Sequence, residues 1–176
     1  QKLKKYHLLV TKFSKIKSNR TRPLISHAPT NRFYKGSNHI IKVCRQLEKE
    51  NKILFDLIEN VSHNEALKRK GKSDIFIDQI GDKGGWGYGM NSVESLAMGI
   101  CTLTQLNSKY QKFIPDYPFI NVNKATLKEN LDDLIKDKRK ISKKGEEAKI
   151  WVNKKHNIRK VSDELYTYYK SIGLKV

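Results

Sequence analysis

The stretch of sequence that decides the fold runs Gly84-Gly85-Trp86-Gly87-Tyr88-Gly89-Met90-Asn91-Ser92-Val93-Glu94-Ser95-Leu96-Ala97-Met98-Gly99. Its first half is rich in glycine, which lets backbone come close to a ligand. Asn91 and Glu94 have the three-residue spacing of a capping box, which predicts a helix over residues 92–98. Because the N–H groups at a helix start attract anions, the stretch predicts an anion-binding loop.

Apolar runs lie on both sides of this loop and helix. Residues 73–80 before it and residues 101–105 after it are predicted to be strands, which gives a strand, loop, helix, strand unit. Such a unit is typical of a right-handed parallel crossover. In open parallel sheets ligands bind beyond the carboxyl ends of the strands, which is where residues 81–92 would lie.

The rest of the chain continues the alternation of strands and helices. Further strands are predicted at residues 23–27, 52–58 and 118–122, and helices at residues 37–50 and 62–70, with residues 28–36 as a loop. From residue 123 onward the apolar spacing predicts three helices, and Asn157 separates the last two. This order predicts an α/β fold: a doubly wound parallel sheet with a helical C-terminal tail.

Composition and charge limit the classes of protein. The 176 residues suffice for one domain with a core, and no run is long and apolar enough to span a membrane. A net charge of +18 is enough to attract nucleic acid, anionic lipid or phosphorylated substrates, although a lysine-rich surface with a basic arm also explains it. Residues 1–21 are predicted to be a basic linker or arm, and residues 22–176 the folded domain. Cys44 and Cys101 lack metal-ligand spacing and are predicted to be buried thiols in a reducing compartment.

Two segments carry a resemblance to a known family. One is Lys35-Gly36, preceded by Arg32 and followed by Asn38-His39-Ile40-Ile41, and the other runs from Gly87 through Glu94 to Gly99. With both segments the chain resembles, over residues 22–171, the C-terminal, nucleotide-binding half of a GT-B glycosyltransferase. It is most similar to family 4, the retaining enzymes of the glycosyl transferases group 1 class. The resemblance implies a Rossmann-like half of a GT-B fold.

The resemblance also implies roles for individual residues. Lys35 and Arg32 would be the catalytic cations that stabilise a departing diphosphate, and Glu94 would accept hydrogen bonds from ribose hydroxyls. The implied donor-binding residues are Glu94, Gly89, Met90, Asn91, Ser92, Val93, His27 and Tyr88. Two positions depart from the family. The position of the first glutamate of the family's pair is occupied by Trp86. The basic residue that the family has five positions before the lysine corresponds to Thr30, and the neighbouring Arg32 would take over its role.

Each of these residues also has a purely structural interpretation. Lys35 and Arg32 could be solvated loop cations, and Glu94 could serve only the capping box with Asn91. His27 could be a satisfied structural histidine, and Tyr88 could anchor the glycine-rich loop against the core. The sequence leaves both interpretations open at every one of these positions.

The functional expectation is a donor-binding domain of a retaining glycosyltransferase that moves a hexosyl group from a nucleotide-sugar to an acceptor. The acceptor, a glycan, lipid or small molecule, would be held by an N-terminal domain absent here, so we expect this domain alone to transfer little or no sugar. We expect no cofactor besides the nucleotide-sugar substrate, no protein-bound metal and a cytoplasmic location. The basic arm suggests contact with an anionic membrane surface as a further hypothesis.

Two alternatives remain. One is a basic nucleic-acid-binding module, suggested by the net charge and by Tyr and Lys interleaved in both tails. It leaves Glu94 unexplained, because an acid behind a helix N-terminus would repel phosphate, so nucleic acid is not the expected partner. The other is a non-catalytic nucleotide-sugar-binding relative in which Trp86 marks lost chemistry.

Overall fold

The structure, a computed structural model, describes residues 13, 14, 16, 19–81 and 88–175. Within them the chain forms an α/β fold around a five-stranded sheet in which neighbouring strands are all parallel. The strands are β1 (Leu24–His27), β2 (Leu54–Leu57), β3 (Ile75–Ile77), β4 (Cys101–Thr104) and β5 (Ile120–Asn121). Each lies inside a segment that the sequence predicts as a strand, and the predicted doubly wound parallel sheet is confirmed.

Helices follow the strands along the chain. They are α1 (Arg32–Lys35), α2 (Ser37–Lys49), α3 (His63–Lys70), α4 (Met90–Ala97), α5 (Ser108–Gln111), α6 (Leu127–Lys136), α7 (Lys138–Lys155) and α8 (Ile158–Ser171). Asn157 separates the last two, as predicted, and its side chain accepts hydrogen bonds from the first turn of α8. The predicted loop at residues 28–36 is wrong in one detail, because it contains the short helix α1. Asn31 caps that helix through hydrogen bonds from the backbone N–H groups of Phe33 and Tyr34.

The order of strands in the sheet is β2-β1-β3-β4-β5. The chain therefore leaves β1 toward one edge of the sheet, crosses back from β2 over β1 to β3, and then continues toward the other edge. Connections that leave β1 and β3 in opposite directions open a crevice between the carboxyl ends of these two strands, which is the usual ligand site of such sheets.

Side chains of the strands alternate between two apolar layers. Ile75 and Ile77 pack in a core cluster with residues of α2 and α6, whereas Phe76 packs on the opposite face with Leu67 of α3 and with Met98. All five side chains are buried. Each contributes about 1.5–3 kcal/mol relative to the exposed side chain, so the two layers fix the sheet between helices on both sides.

Both cysteines lie in the core. Cys44 of α2 and Cys101 of β4 are buried thiols that do not form a disulfide, as the sequence predicts. Burial raises the pKa of the Cys44 thiol to about 12. A thiol with so high a pKa is protonated at neutral pH and chemically inert, so its role is packing.

The described part of the predicted basic arm lies against the domain. The backbone N–H of Ile16 donates to the carbonyl of Gly71 at 3.0 Å, and Phe13 packs beside the apolar layer of α3. The Arg20 guanidinium donates to the Asp74 carboxylate at 3.2 Å. Residues 13–20, where they are described, are thus attached to the end of α3 and the start of β3.

The last helix differs in its exposure from the other described helices of eight or more residues. None of the residues of α8 is buried, although its sequence is amphipathic. Among the described residues, the helices are all too short or too polar to cross a membrane.

Candidate functional site

A cavity of about 920 Å³ opens at the carboxyl edge of the sheet. Its walls come from the segments that follow β1 and β2 and from the start of α4. The residues that line it are Ala28, Pro29, Thr30, Arg32, Lys35, Ile58, Glu59, Asn60, Val61, His63, Ala66, Lys70, Met90, Asn91 and Glu94. The cavity therefore brings Lys35 and Glu94 together, as the sequence-based hypothesis requires.

Lys35 reaches the cavity from the end of α1. Its Nζ donates to Asp78 Oδ1 at 2.5 Å and to Gln79 Oε1 at 3.1 Å, and its side chain is 14% exposed. The fully buried Asp78 carboxylate also accepts a hydrogen bond from Ser92 Oγ at 2.6 Å. Hydrogen bonds to an ionised group are the strong ones, so this network fixes the Lys35 ammonium group between the end of β3 and the start of α4.

The backbone conformation at position 36 requires a glycine after Lys35. Its φ of +66° lies in the left-handed region, which strains residues with a side chain. A Cβ atom at this position would lie only 3.2 Å from the Cα and N atoms of Gly81. The glycine thus ends α1 and lets the loop after β1 pack on the backbone that follows β3.

Arg32 lies at the rim of the same cavity. Its guanidinium binds the Glu59 carboxylate through two hydrogen bonds, from Nε at 2.7 Å and from Nη2 at 2.5 Å, and its side chain is 53% exposed. The hydrogen bond from Arg32 lowers the pKa of Glu59. Arg32 therefore holds a carboxylate in the geometry that it would also use for a phosphate.

Helix α4 starts earlier than the sequence predicts. It begins at Met90, with Gly89 as the N-cap residue and no side-chain cap, so the predicted capping box of Asn91 and Glu94 is wrong. Asn91 lies in the first turn, where its Nδ2 donates to the Ala28 carbonyl at 2.8 Å. The side chains of Asn91 and Glu94 thus serve tertiary contacts rather than the helix end.

The other residues predicted at the start of α4 have different environments. Met90 is exposed and lines the cavity. Ser92 is buried, and its hydroxyl donates to the Asp78 carboxylate. The backbone N–H of Val93 donates to the Gly89 carbonyl at 3.0 Å within the helix. Among residues 89–93, therefore, Met90 and Asn91 line the cavity.

Glu94 forms a buried ion pair that the sequence analysis did not anticipate. Its Oε2 accepts a hydrogen bond from Lys70 Nζ at 2.6 Å, and Lys70 also donates to Asn91 Oδ1 at 2.8 Å. Burial lowers the pKa of Lys70, while the charge and the hydrogen bond of Glu94 act in the opposite direction. Glu94 Oε1 lies 3.6 Å from His63 Nε2. The floor of the cavity is therefore a charged cluster of residues from α3 and α4.

His27 lies beneath the cavity rather than in its lining. Its ring is fully buried, with Nδ1 at 2.7 Å from the Ile77 carbonyl oxygen and Nε2 at 2.8 Å from Ser37 Oγ. Burial lowers the pKa of His27 to about 4, so the ring is neutral at pH 7. Two protein partners occupy both ring nitrogens, an arrangement that joins β1 to β3 and to the start of α2.

Tyr88 packs into an aromatic cluster. Its ring lies 5.6 Å from that of Phe119 and 5.8 Å from that of Trp151, measured between centroids. This contact anchors the end of the glycine-rich segment against the core. Gly87, which carries part of the family resemblance, and Trp86, which departs from the family, lie outside the described residues.

The cavity contains the charged and polar groups that would suit an anion and a molecule with several hydroxyl groups. Lys35 and Arg32 offer positive charge, and Glu94 and Asn91 offer acceptors for hydroxyl groups. Within residues 19–81 and 88–175, and at positions 13, 14 and 16, no three His, Cys, Asp or Glu side chains group to hold a metal ion.

The fold and the cavity together define the class of the protein. It is an α/β protein of Rossmann-like architecture with a polar cavity at the switch point of its sheet. No protein-family model matches the chain, and no curated protein matches its sequence.

Proposed function

We propose that the chain is the donor-nucleotide-binding domain of a retaining glycosyltransferase that moves a hexosyl group from a nucleotide-sugar to an acceptor. The observation that carries the proposal is that Lys35 and Glu94 line one cavity at the switch point of a parallel sheet. Further support comes from the sequence resemblance at Lys35-Gly36 and around Glu94.

In this proposal the cations act on the diphosphate. Departure of a nucleoside diphosphate builds negative charge on its oxygens, and fixed cations stabilise that charge without reorganisation. Lys35 is held in place by Asp78, and Arg32 exchanges the carboxylate of Glu59 for phosphate oxygens. The N-terminus of α4, which begins at Met90, adds its partial positive charge.

Glu94 acts on the other end of the nucleotide. An ionised carboxylate accepts hydrogen bonds from the two neighbouring hydroxyl groups of a ribose. The acceptor, a glycan, lipid or small molecule, is bound by a second domain. This domain alone therefore binds the nucleotide but transfers little or no sugar.

Calorimetric titration with uridine, guanosine and adenosine diphosphates tests the proposal. We expect one of the three nucleoside diphosphates to bind best. Lys35→Ala should lower the affinity for it at least about tenfold, since a hydrogen bond to a charged group contributes about 1.5–3 kcal/mol. Lys42→Ala is the matched control, because Lys42 is exposed on α2 and carries the same charge. Equal losses in both variants would mean non-specific attraction to a basic surface and would refute the proposal.

The same proteins separate the alternatives. Binding of single-stranded or duplex oligonucleotides with a steep salt dependence that is unchanged by Glu94→Gln would favour the nucleic-acid-binding module. A nucleotide-sugar that binds but is not hydrolysed or transferred when the acceptor domain is also present would favour the non-catalytic relative with Trp86.

A further inference from the structure

Lys70 is a charged residue among the large side chains that are fully buried in the described part of the chain. It is the last residue of α3, and its side chain is 1% exposed. The ammonium group lies 2.6 Å from Glu94 Oε2, 2.8 Å from Asn91 Oδ1 and 4.7 Å from the centre of the Phe76 ring. A buried charge is costly unless it is paired, and here the pair and the aromatic face surround it.

The ion pair of Lys70 and Glu94 determines which carboxylate oxygen of Glu94 faces the cavity. Lys70 binds Oε2 from the protein side, and the other oxygen, Oε1, lies 3.6 Å from Nε2 of His63. His63 is 51% exposed, so Oε1 is on the side of the carboxylate that a ligand approaches. Lys70 also lines the cavity, but its side chain is only 1% exposed, so a ligand at Oε1 of Glu94 contacts little of it.

We propose that Lys70 is a positioning residue that holds Glu94 in one orientation and thereby makes the cavity select ribonucleotides over their 2′-deoxy analogues. This inference rests on the proposed function, since it assigns the diol-binding end of the nucleotide to Glu94.

The physical reason is the orientation of the acceptor. A carboxylate oxygen accepts hydrogen bonds, which suits two hydroxyl donors when that oxygen faces them. Without Lys70, Glu94 would be a buried carboxylate that lacks its nearest positive charge and the hydrogen bond to Oε2, so it would turn toward water. That change removes the preference for the diol but leaves the contacts of Lys35 with the diphosphate in place.

The experiment measures a ratio of affinities. Adenosine, guanosine and uridine diphosphates are each titrated beside the 2′-deoxy analogue into wild-type protein, Lys70→Met and Lys68→Met. Lys68 is the matched control, because it is an exposed lysine of the same helix. We expect wild type and Lys68→Met to prefer the ribonucleotide about tenfold or more, and Lys70→Met to lose most of that preference.

A second variant keeps the test decisive if Lys70→Met does not fold. Lys70→Gln retains a neutral donor to Glu94 and should keep a reduced preference, between those of wild type and Lys70→Met. An equal loss of affinity for the ribonucleotide and its deoxy analogue, with the ratio unchanged, would overturn the inference and leave Lys70 a structural residue. Wild-type protein that does not distinguish the two sugars would also overturn it.

Failure of the proposed function gives a different result. If none of the diphosphates binds, or if Lys35→Ala and Glu94→Gln leave the affinity unchanged, the nucleotide site itself is wrong. If both variants weaken binding while Lys70→Met retains the wild-type ratio, only the role of Lys70 is wrong.

Discussion

Gly145 of α7 packs directly on the backbone of Gly99, so closely that a Cβ atom on Gly145 would lie 2.2 Å from the Gly99 carbonyl oxygen. This contact holds α7 against the connection between α4 and β4. The helix that ends just before this contact, α4, carries Asn91 and Glu94.

The first prediction is that Gly145→Ala destabilises the protein. Alanine is favoured over glycine in a helix by about 1 kcal/mol, but a backbone carbonyl cannot move aside as a flexible side chain does. Overpacking costs about 1–3 kcal/mol, and at so short a distance we expect a net loss of about 1–2 kcal/mol in the free energy of unfolding. Urea denaturation followed by circular dichroism measures it.

The control for this prediction is the neighbouring exposed position of the same helix. Glu146→Ala should change the free energy of unfolding by less than about 0.5 kcal/mol. If Gly145→Ala were as stable as Glu146→Ala or more stable than wild type, the close contact with Gly99 would not exist in solution.

The second prediction concerns acid stability and His27. Its pKa is lowered from 6.5 to about 4, so the unfolded chain binds this proton at higher pH than the folded protein does. The contribution of the neutral ring is fully present above pH 6.5 and is lost as the pH falls toward 4. By linkage the loss amounts to about 3 kcal/mol.

Urea denaturation at a series of pH values between 7 and 4 measures this loss. His27→Gln removes the titrating group, so its free energy of unfolding should fall less steeply with acid than that of wild type. His39→Gln, at a partly exposed histidine of α2, serves as control and should retain the wild-type slope. Parallel curves for wild type and His27→Gln would contradict the buried neutral ring.

The strands and long helices could be predicted because their signals are local. Short apolar runs between turn residues gave the five strands, and apolar spacing gave the helices after residue 123. Helix α1 was missed because four residues are too few to show a period. The capping box was wrong because a contact distant in sequence decides it: Glu94 binds Lys70, from another helix, instead of its own helix end.

Lys70 itself could not have been found from the sequence. It belongs to the run Lys68-Arg69-Lys70, which favours an exposed basic face. Only the packing of α3 beside α4 turns its ammonium group inward, where Glu94 compensates the cost of burial. Lys35 was predicted because the pair Lys35-Gly36 matches the family that the sequence resembles.

The third prediction concerns the pairing of Arg32 with Glu59. If Arg32 binds phosphate, a diphosphate must first displace the Glu59 carboxylate from both guanidinium hydrogen bonds. Glu59→Gln removes that competitor, so we expect affinity for the best-bound nucleoside diphosphate to rise severalfold. Calorimetric titration measures the change.

Two further variants decide whether the gain comes from Arg32. Glu65→Gln removes the same charge from an exposed position of α3 and should raise the affinity much less. Adding Arg32→Ala to Glu59→Gln should abolish the gain. An equal increase in both glutamine variants would show that only the net charge of the surface matters.

The fourth prediction is that the domain folds without its last helix. None of the residues of α8 is buried, whereas Trp151 and Val152 of α7 belong to an apolar cluster. A chain that ends at Asn157 retains His156, whose ring lies 5.2 Å from that of Trp151. We expect the urea midpoint and the diphosphate affinity of this shortened chain to equal those of the full chain.

Trp151→Ala provides the contrast, with a loss of about 3–5 kcal/mol in the free energy of unfolding because it empties a buried site. A shortened chain that loses as much stability as Trp151→Ala would show that α8 packs on the domain in solution.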